Sequence, residues 1–432
     1  MKITMLGAGS GFTQPLATDI LHLNSITSGT FALVDIDGER LALARKLIEK
    51  IIQMMGKDWN VIASTDRTQV MGDSDYLINF IEVSGVDTVR YDNDIPLKYG
   101  ISQCIGDTIG PGGIFKALRT VPPWLDILKD AEKLCPDALV LNYTNPMSIM
   151  TLAGIRSSCM PIIGLCHSVQ GSSKQLAGYA DIPYDELKWR CAGINHMAWF
   201  TELSHNGRDL YPELKENCLQ SSLWEKDPVR FDMMRHFGYF VTESSGHFSE
   251  YVPYYRKRDE LIDLYCREGY LGGRSFYANE WPTWRKNKDE KIARQLNGEE
   301  EIIIKRSHEY ASIIIEAAET NQPAVVYGSV LNEGLVDNLP SNGVVEVACM
   351  IDRNGFNPCH FGSLPPQLAA LCASNMAVYE CTVEGILNKN KDAIYHALML
   401  DPLSAAVASP KEIQLMADEL FKAEREFLPD FV

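Results

Sequence analysis

A thiol beside an imidazole can serve a metal ion, and the chain places the two together at Cys166-His167, within Gly164-Leu165-Cys166-His167-Ser168-Val169. A second imidazole follows at His196, within Gly193-Ile194-Asn195-His196-Met197. Cys166 and His196 together could bind a divalent cation and leave positions open for water or sugar hydroxyls. Each also has a plainer reading, because a buried cysteine is commonly core and a lone histidine commonly structural. Cys359-His360 repeats the pairing without partners at ligand spacing and reads as structural.

Other segments carry different chemistry. Gly7-Ala8-Gly9-Ser10 follows an apolar run, where glycines let a pyrophosphate approach backbone N–H groups at a helix N-terminus. The third glycine of the usual fingerprint is replaced by Phe12, so an ordinary strand–helix turn explains the loop as well. Asp35, closing the second apolar run, suits an adenosine ribose and disfavours a 2′-phosphate, which points to NAD over NADP. Asp37 reads as a helix N-cap. Asn142-Tyr143-Thr144-Asn145-Pro146 is either a simple turn or a polar strand end facing a ligand. Gly106-Asp107-Thr108 leads into Gly110-Pro111-Gly112-Gly113, which reads as a loop over a cofactor or as a surface turn. Glu243 through Tyr251 crowds Glu243, His247, Glu250 and Tyr251 into one irregular stretch, either a functional loop or a solvated one.

The elements that must hold these groups alternate. Apolar runs at Lys2–Leu6, Phe31–Val34, Tyr76–Phe80, Ala138–Leu141 and Ile162–Leu165 read as strands, with helices at about Gln14–Leu23 and Glu39–Met55. That alternation predicts an α/β fold with a doubly wound parallel sheet. Past about Leu187 the pattern changes: an extended Trp189–Trp199, an aromatic stretch from Trp224 to Trp284, and helical patterns at Glu299–Glu319 and Pro366–Leu387. A boundary is expected near residue 190, giving units 1–190 and 191–432.

The 432 residues suffice for two domains, and 46% hydrophobic with 22% charged residues excludes disorder. A net charge of −17 argues against nucleic acid as a partner. No apolar run spans a membrane, the first residues lack a signal-peptide core, and eleven scattered cysteines suit a reducing compartment. The expectation is a cytoplasmic protein acting on a small molecule, with no membrane partner.

Taken together, Gly7–Ser10, Asp107-Thr108, Asn142–Pro146, Gly164–Val169, Gly193–His196 and Asn338-Leu339-Pro340 closely resemble, in order, the motifs of glycoside hydrolase family 4. Cys166-His167-Ser168-Val169, Tyr239–Ser245 and Asp401-Pro402 look like its α-galactosidase branch. The resemblance implies a Rossmann-like, lactate/malate dehydrogenase-like NAD-binding domain and a C-terminal α+β domain for catalysis, substrate and oligomerisation, in a dimer or tetramer. It implies NAD at Gly7, Gly9, Ser10 and Asp35, Mn²⁺ at Cys166 and His196, and substrate at Asn145. It also implies Tyr251 as general base, made more basic by Asp107. His167 stands where the phospho-α-glucosidase branch has an acidic Asp, which makes it the candidate acid. The implied activity is hydrolysis of terminal α-galactosides. NAD oxidises C3 transiently, the C2 proton and the C1 leaving group depart, water adds, and the hydride returns.

A family member acting on another α-hexoside or hexuronide is the nearest alternative. A plain NAD-dependent hydroxy-acid dehydrogenase shares the dinucleotide loop and an Asn-Pro turn. It lacks a reason for the Cys166/His196 pair and would need a substrate-carboxylate arginine and catalytic histidine motif. A silent dinucleotide sensor is the third reading.

Overall fold

The computed structural model describes residues 1–431. Six short strands, β1 (Lys2–Leu6), β2 (Ser28–Val34), β3 (Asp58–Ser64), β4 (Tyr76–Asn79), β5 (Leu139–Asn142) and β6 (Ile162–Leu165), pair in parallel in the order 3-2-1-4-5-6. β4, β5 and β6 are buried along their whole length, as parallel strands covered on both faces must be. This is the doubly wound Rossmann arrangement, and its strand order reverses between β1 and β4.

Local chemistry sets the element ends. Asp37 accepts from Glu39 N and Arg40 N, both at 3.1 Å, and so caps helix Gly38–Met55, which Gly56 closes at φ 62°. Gly7 lies so close to β4 that an added Cβ would come within 2.7 Å of the Phe80 carbonyl oxygen. Phe12 opens helix Thr13–Leu21 and packs its ring between Phe80 and Tyr143, which fills the place of the missing third glycine.

The sheet continues beyond β6 through antiparallel strands β7 (Lys188–Ile194), β8 (Met197–His205), β9 (Arg208–Asp209), β10 (Phe240–Val241), β11 (Ala324–Leu331), β12 (Val344–Asp352) and β13 (Gly355–Pro358). β11 joins β6 through Gly328 opposite Leu165 and Ser329 opposite Gly164. β12 joins β7 through Glu346 opposite Gly193, and β7 and β8 form a hairpin whose turn is Asn195-His196.

Two expectations change. The helical pattern from Glu299 becomes helix only at Tyr310–Thr320, because Ser307 is held to the Asp19 carboxylate, with its N–H at 2.6 Å, and the chain before it runs without regular structure. Gly110–Gly113 is the first turn of the buried helix Gly110–Leu134 and not a loop over a cleft. A Cβ at Gly112 would sit 2.2 Å from the Gly106 carbonyl oxygen, so glycine there lets the helix press against the segment carrying Asp107. Helix Pro366–Leu387 forms as expected. Among the described residues no helix is long and apolar enough to cross a membrane.

Candidate active site

Cys166 follows β6 directly, and His196 sits in the β7–β8 turn with φ 62°. Cys166 Sγ lies 3.3 Å from His196 Nε2. Glu243, at φ 74° just past β10, brings its carboxylate to 3.8 Å from the same nitrogen. One donor atom from each of these three residues falls within 4.8 Å of the others. Two non-glycine residues in left-handed backbone mark a place where the surroundings impose a local cost.

The electrostatics follow from burial and neighbours. Burial lowers His196 to about 4 despite Glu243, so its imidazole is neutral, as a ligand must be. Burial, then Glu243, raises the Cys166 thiol well above the ordinary range, and a cation bound there would favour the thiolate. Burial would raise Glu243, but His196 and His247 outweigh it and hold the carboxyl far below the usual range. A thiol, an imidazole and an ionised carboxylate from three elements are a donor set that suits a divalent transition ion.

Around this set lies a ring of acid–base groups. Tyr251 is fully buried with its hydroxyl 3.2 Å from His196 Nδ1. Burial raises its pKa far above normal, and Tyr379, then Asp107, push in the same direction. His247 stands 3.5 Å from Glu243 and 3.6 Å from Asp107, and is raised to about 9 because its carboxylate neighbours outweigh burial. Asp107 faces Lys116 at 3.6 Å and receives the Asn145 amide at 3.4 Å. Burial would raise it, but Lys116 and His247 hold it at about 2. Glu250 accepts from Ile105 N at 3.0 Å and Cys104 N at 2.5 Å, which fastens the segment ahead of Asp107. His167 is exposed, with Nδ1 3.4 Å from Glu309; that hydrogen bond, partly offset by burial, raises its pKa.

The structure thus gathers Cys166, His196, Tyr251, Asp107 and Asn145, with His167 at the edge. Gly7, Ser10 and Asp35 lie apart from them, lining a cleft of about 910 Å³ that Glu309 also lines. Asp35 accepts from Gly9 N at 2.7 Å and Asp37 N at 2.9 Å, so its two oxygens are partly engaged by backbone and each keeps a lone pair free. Glu243 as a third donor was not singled out in the sequence, although its stretch was. Lys116 was missed; its signal is one cation in the buried run Ile114-Phe115-Lys116-Ala117-Leu118.

The Family 4 glycosyl hydrolase model matches residues 2–182, and the Family 4 glycosyl hydrolase C-terminal domain model matches residues 191–404. An α-galactosidase of Bacillus subtilis is 42% identical over 100% of this chain and 99% of its own length. An α-galactosidase of Rhizobium meliloti is 35% identical over 100% of this chain and 89% of its own. In fold, a 6-phospho-β-glucosidase of Thermotoga maritima, solved with manganese, NAD⁺ and glucose-6-phosphate, superposes with a TM-score of 0.82 at 22% identity, covering 99% of each chain. With both family models matched in order along one chain, and relatives this similar over its full length, the protein belongs to family 4 of the glycosyl hydrolases.

Proposed function

We propose that the protein is an NAD⁺- and Mn²⁺-dependent glycosidase that hydrolyses terminal α-galactosides. The observation that carries this reading is the donor set Cys166, His196 and Glu243 set beside a dinucleotide-sized cleft, with Glu309 lining the cleft and holding His167. The α-galactosidases named above, similar over the full chain, support the choice of sugar.

Both groups fit the residues present. Gly7, Ser10, Gly11 and Asp35 line a cleft large enough for a dinucleotide, and Cys166, His196 and Glu243 offer the cation a thiol, an imidazole and a carboxylate. Bound there, NAD⁺ would supply a reversible hydride acceptor and the cation Lewis acidity towards sugar hydroxyls.

The chain's own residues do the rest. Ligation through Nε2 leaves the His196 proton on Nδ1, which donates to the Tyr251 oxygen. Burial, then Tyr379 and Asp107, raise the Tyr251 pKa, so that the phenolate, formed when the phenol releases its proton to solvent, is a stronger base for the C2 proton. Lys116 and His247 keep Asp107 ionised for that task, and Asn145 presents its amide to both Asp107 and the sugar. His167, held by Glu309 and kept protonated past its ordinary range, gives its proton to the departing oxygen at C1. Residues 1–190 carry the cofactor strands and also supply Cys166, His167, Asn145 and Asp107, while 191–432 supply His196, Glu243 and Tyr251, so we read the two units as building the catalytic pocket jointly. A reducing cytoplasm suits the eleven free cysteines, and we place the enzyme there as a homo-oligomer, a dimer or tetramer.

The test is a panel of nitrophenyl α- and β-glycosides assayed with NAD⁺, Mn²⁺ and thiol. The α-galactoside should turn over with NAD⁺ in catalytic amount and no NADH accumulating. Stoichiometric NADH, or equal activity without NAD⁺, contradicts the reading.

A further inference from the structure

Helix Phe276–Asn297 lies over the cofactor cleft from the C-terminal half of the chain. Trp281, Trp284, Arg285 and Lys288 recur at helical spacing, are half-buried, and line the cavity, while Lys286, Asn287 and Glu290 between them face solvent. The helix is fastened at both ends. Tyr277 N donates to the Cys104 carbonyl at 3.0 Å, Arg40 pairs with Asp289 at 3.2 Å, and Lys50 donates to the Gln295 carbonyl at 2.8 Å.

Its inner cations reach the backbone of the glycine loops. A Cβ on Gly11 would stand 3.6 Å from Lys288 Cε, and a Cβ on Gly85 would overlap Arg285 Nη1 at 2.1 Å. Among the described residues neither cation has a carboxylate partner, although the chain carries a net charge of −17 and its other half-buried arginines in this cleft, Arg40 and Arg67, are both paired. Burial and Lys291 disfavour the charge on Lys288, and an anion beside it would restore that charge. Lys288 beside Gly11 and Arg285 beside Gly85 put these two cations on one wall of the cleft, arranged for a doubly anionic group between them.

We infer that Lys288, beside Gly11, and Arg285, beside Gly85, clamp the pyrophosphate of the dinucleotide in the cleft, so that helix Phe276–Asn297 is the second jaw of the cofactor site. This rests on reading the cleft as a dinucleotide site. It assigns cofactor binding to residues well beyond the parallel sheet. A sugar phosphate would offer the same chemistry to the pair, but the neighbours of the two cations are the Gly11 and Gly85 segments, which line the dinucleotide-sized cleft.

Isothermal titration of the full-length protein with NAD⁺, ADP and adenosine tests this, using Lys288→Gln, Arg285→Gln and the charge-keeping Lys288→Arg. Each Gln variant should weaken NAD⁺ and ADP by about 10- to 100-fold, leave adenosine within about twofold, and flatten the salt dependence. Lys288→Arg should recover most of the loss. Unchanged Mn²⁺ affinity in every variant shows that the fold is intact. Gln variants that bind NAD⁺ like the parent overturn the clamp. So does a loss confined to hexose 6-phosphate titrated at saturating NAD⁺. A parent protein that binds no NAD⁺ instead overturns the cofactor reading itself, which separates the two failures.

Discussion

The cleft running from Gly7 to Trp284 offers shape and the ends of long side chains. In the pocket around Cys166 and His196, acid–base groups follow one another at close range: Tyr251 to His196, His196 to Glu243, Glu243 to His247, His247 to Asp107. The first region spreads its hold over many weak contacts and tolerates the loss of one. The second is a closed network in a low-dielectric interior, where one missing atom leaves others unpaired. Chemistry that needs a metal and a base within a few ångströms belongs in the second, and a large cofactor that must be gripped without being distorted belongs in the first.

The largest effects should therefore fall on the pocket. Cys166→Ser and His196→Ala should each reduce Mn²⁺ affinity by more than the roughly 10- to 100-fold typical of an outer-shell change, and bring turnover to background. Metal content after gel filtration measures this, and full metal content in Cys166→Ser would remove the thiol from the site.

Tyr251→Phe comes next. If the phenol is the base, kcat should fall about 10²- to 10⁴-fold while NAD⁺ and Mn²⁺ affinities hold. If it only orients His196, Mn²⁺ affinity should fall and excess metal should restore kcat.

A smaller effect is expected at His167, which acts from the edge. Its conjugate acid is the working form, and its pKa is raised above the ordinary 6.5, so turnover should persist through neutrality and fall as pH rises through the raised value. His167→Gln should lower the rate and erase that alkaline fall. A pH–rate profile of unchanged shape would assign the acid elsewhere. The smallest effect belongs to the cleft: Asp35→Ala should weaken NAD⁺ by removing one ribose contact and leave kcat at saturating NAD⁺ nearly unchanged. Equal use of NADP⁺ by the unaltered protein would contradict the role given to Asp35.

The same contrast explains what could be read from the residues alone. The parallel strands announce themselves because a strand buried on both faces is a continuous apolar run, and Ile162–Leu165 is found at its observed bounds. Asp37 is legible as a cap because capping is local. β3 was not seen, since Asp58–Ser64 mixes polar and apolar residues at an exposed edge of the sheet. β11 and β12 were not seen either, although each is long. Glu243 and Lys116 gained their partners only through tertiary contacts: no spacing rule links Lys116 to Asp107 and Glu82, or Glu243 to a turn some fifty residues earlier. The segment after Glu299 has helical periodicity but is drawn into the Asp19 contact, so a local pattern lost to packing.

The central claim is that a C–H bond at C2 breaks in every turnover, and solvent labelling tests it most directly. Galactose released from an α-galactoside in D₂O, with NAD⁺ and Mn²⁺ present, should carry deuterium at C2, read by NMR or mass spectrometry, because the base exchanges its proton with solvent. A displacement between two carboxylates never touches that hydrogen. Product with C2 fully protiated, formed at the same rate with NAD⁺ removed, would contradict the account.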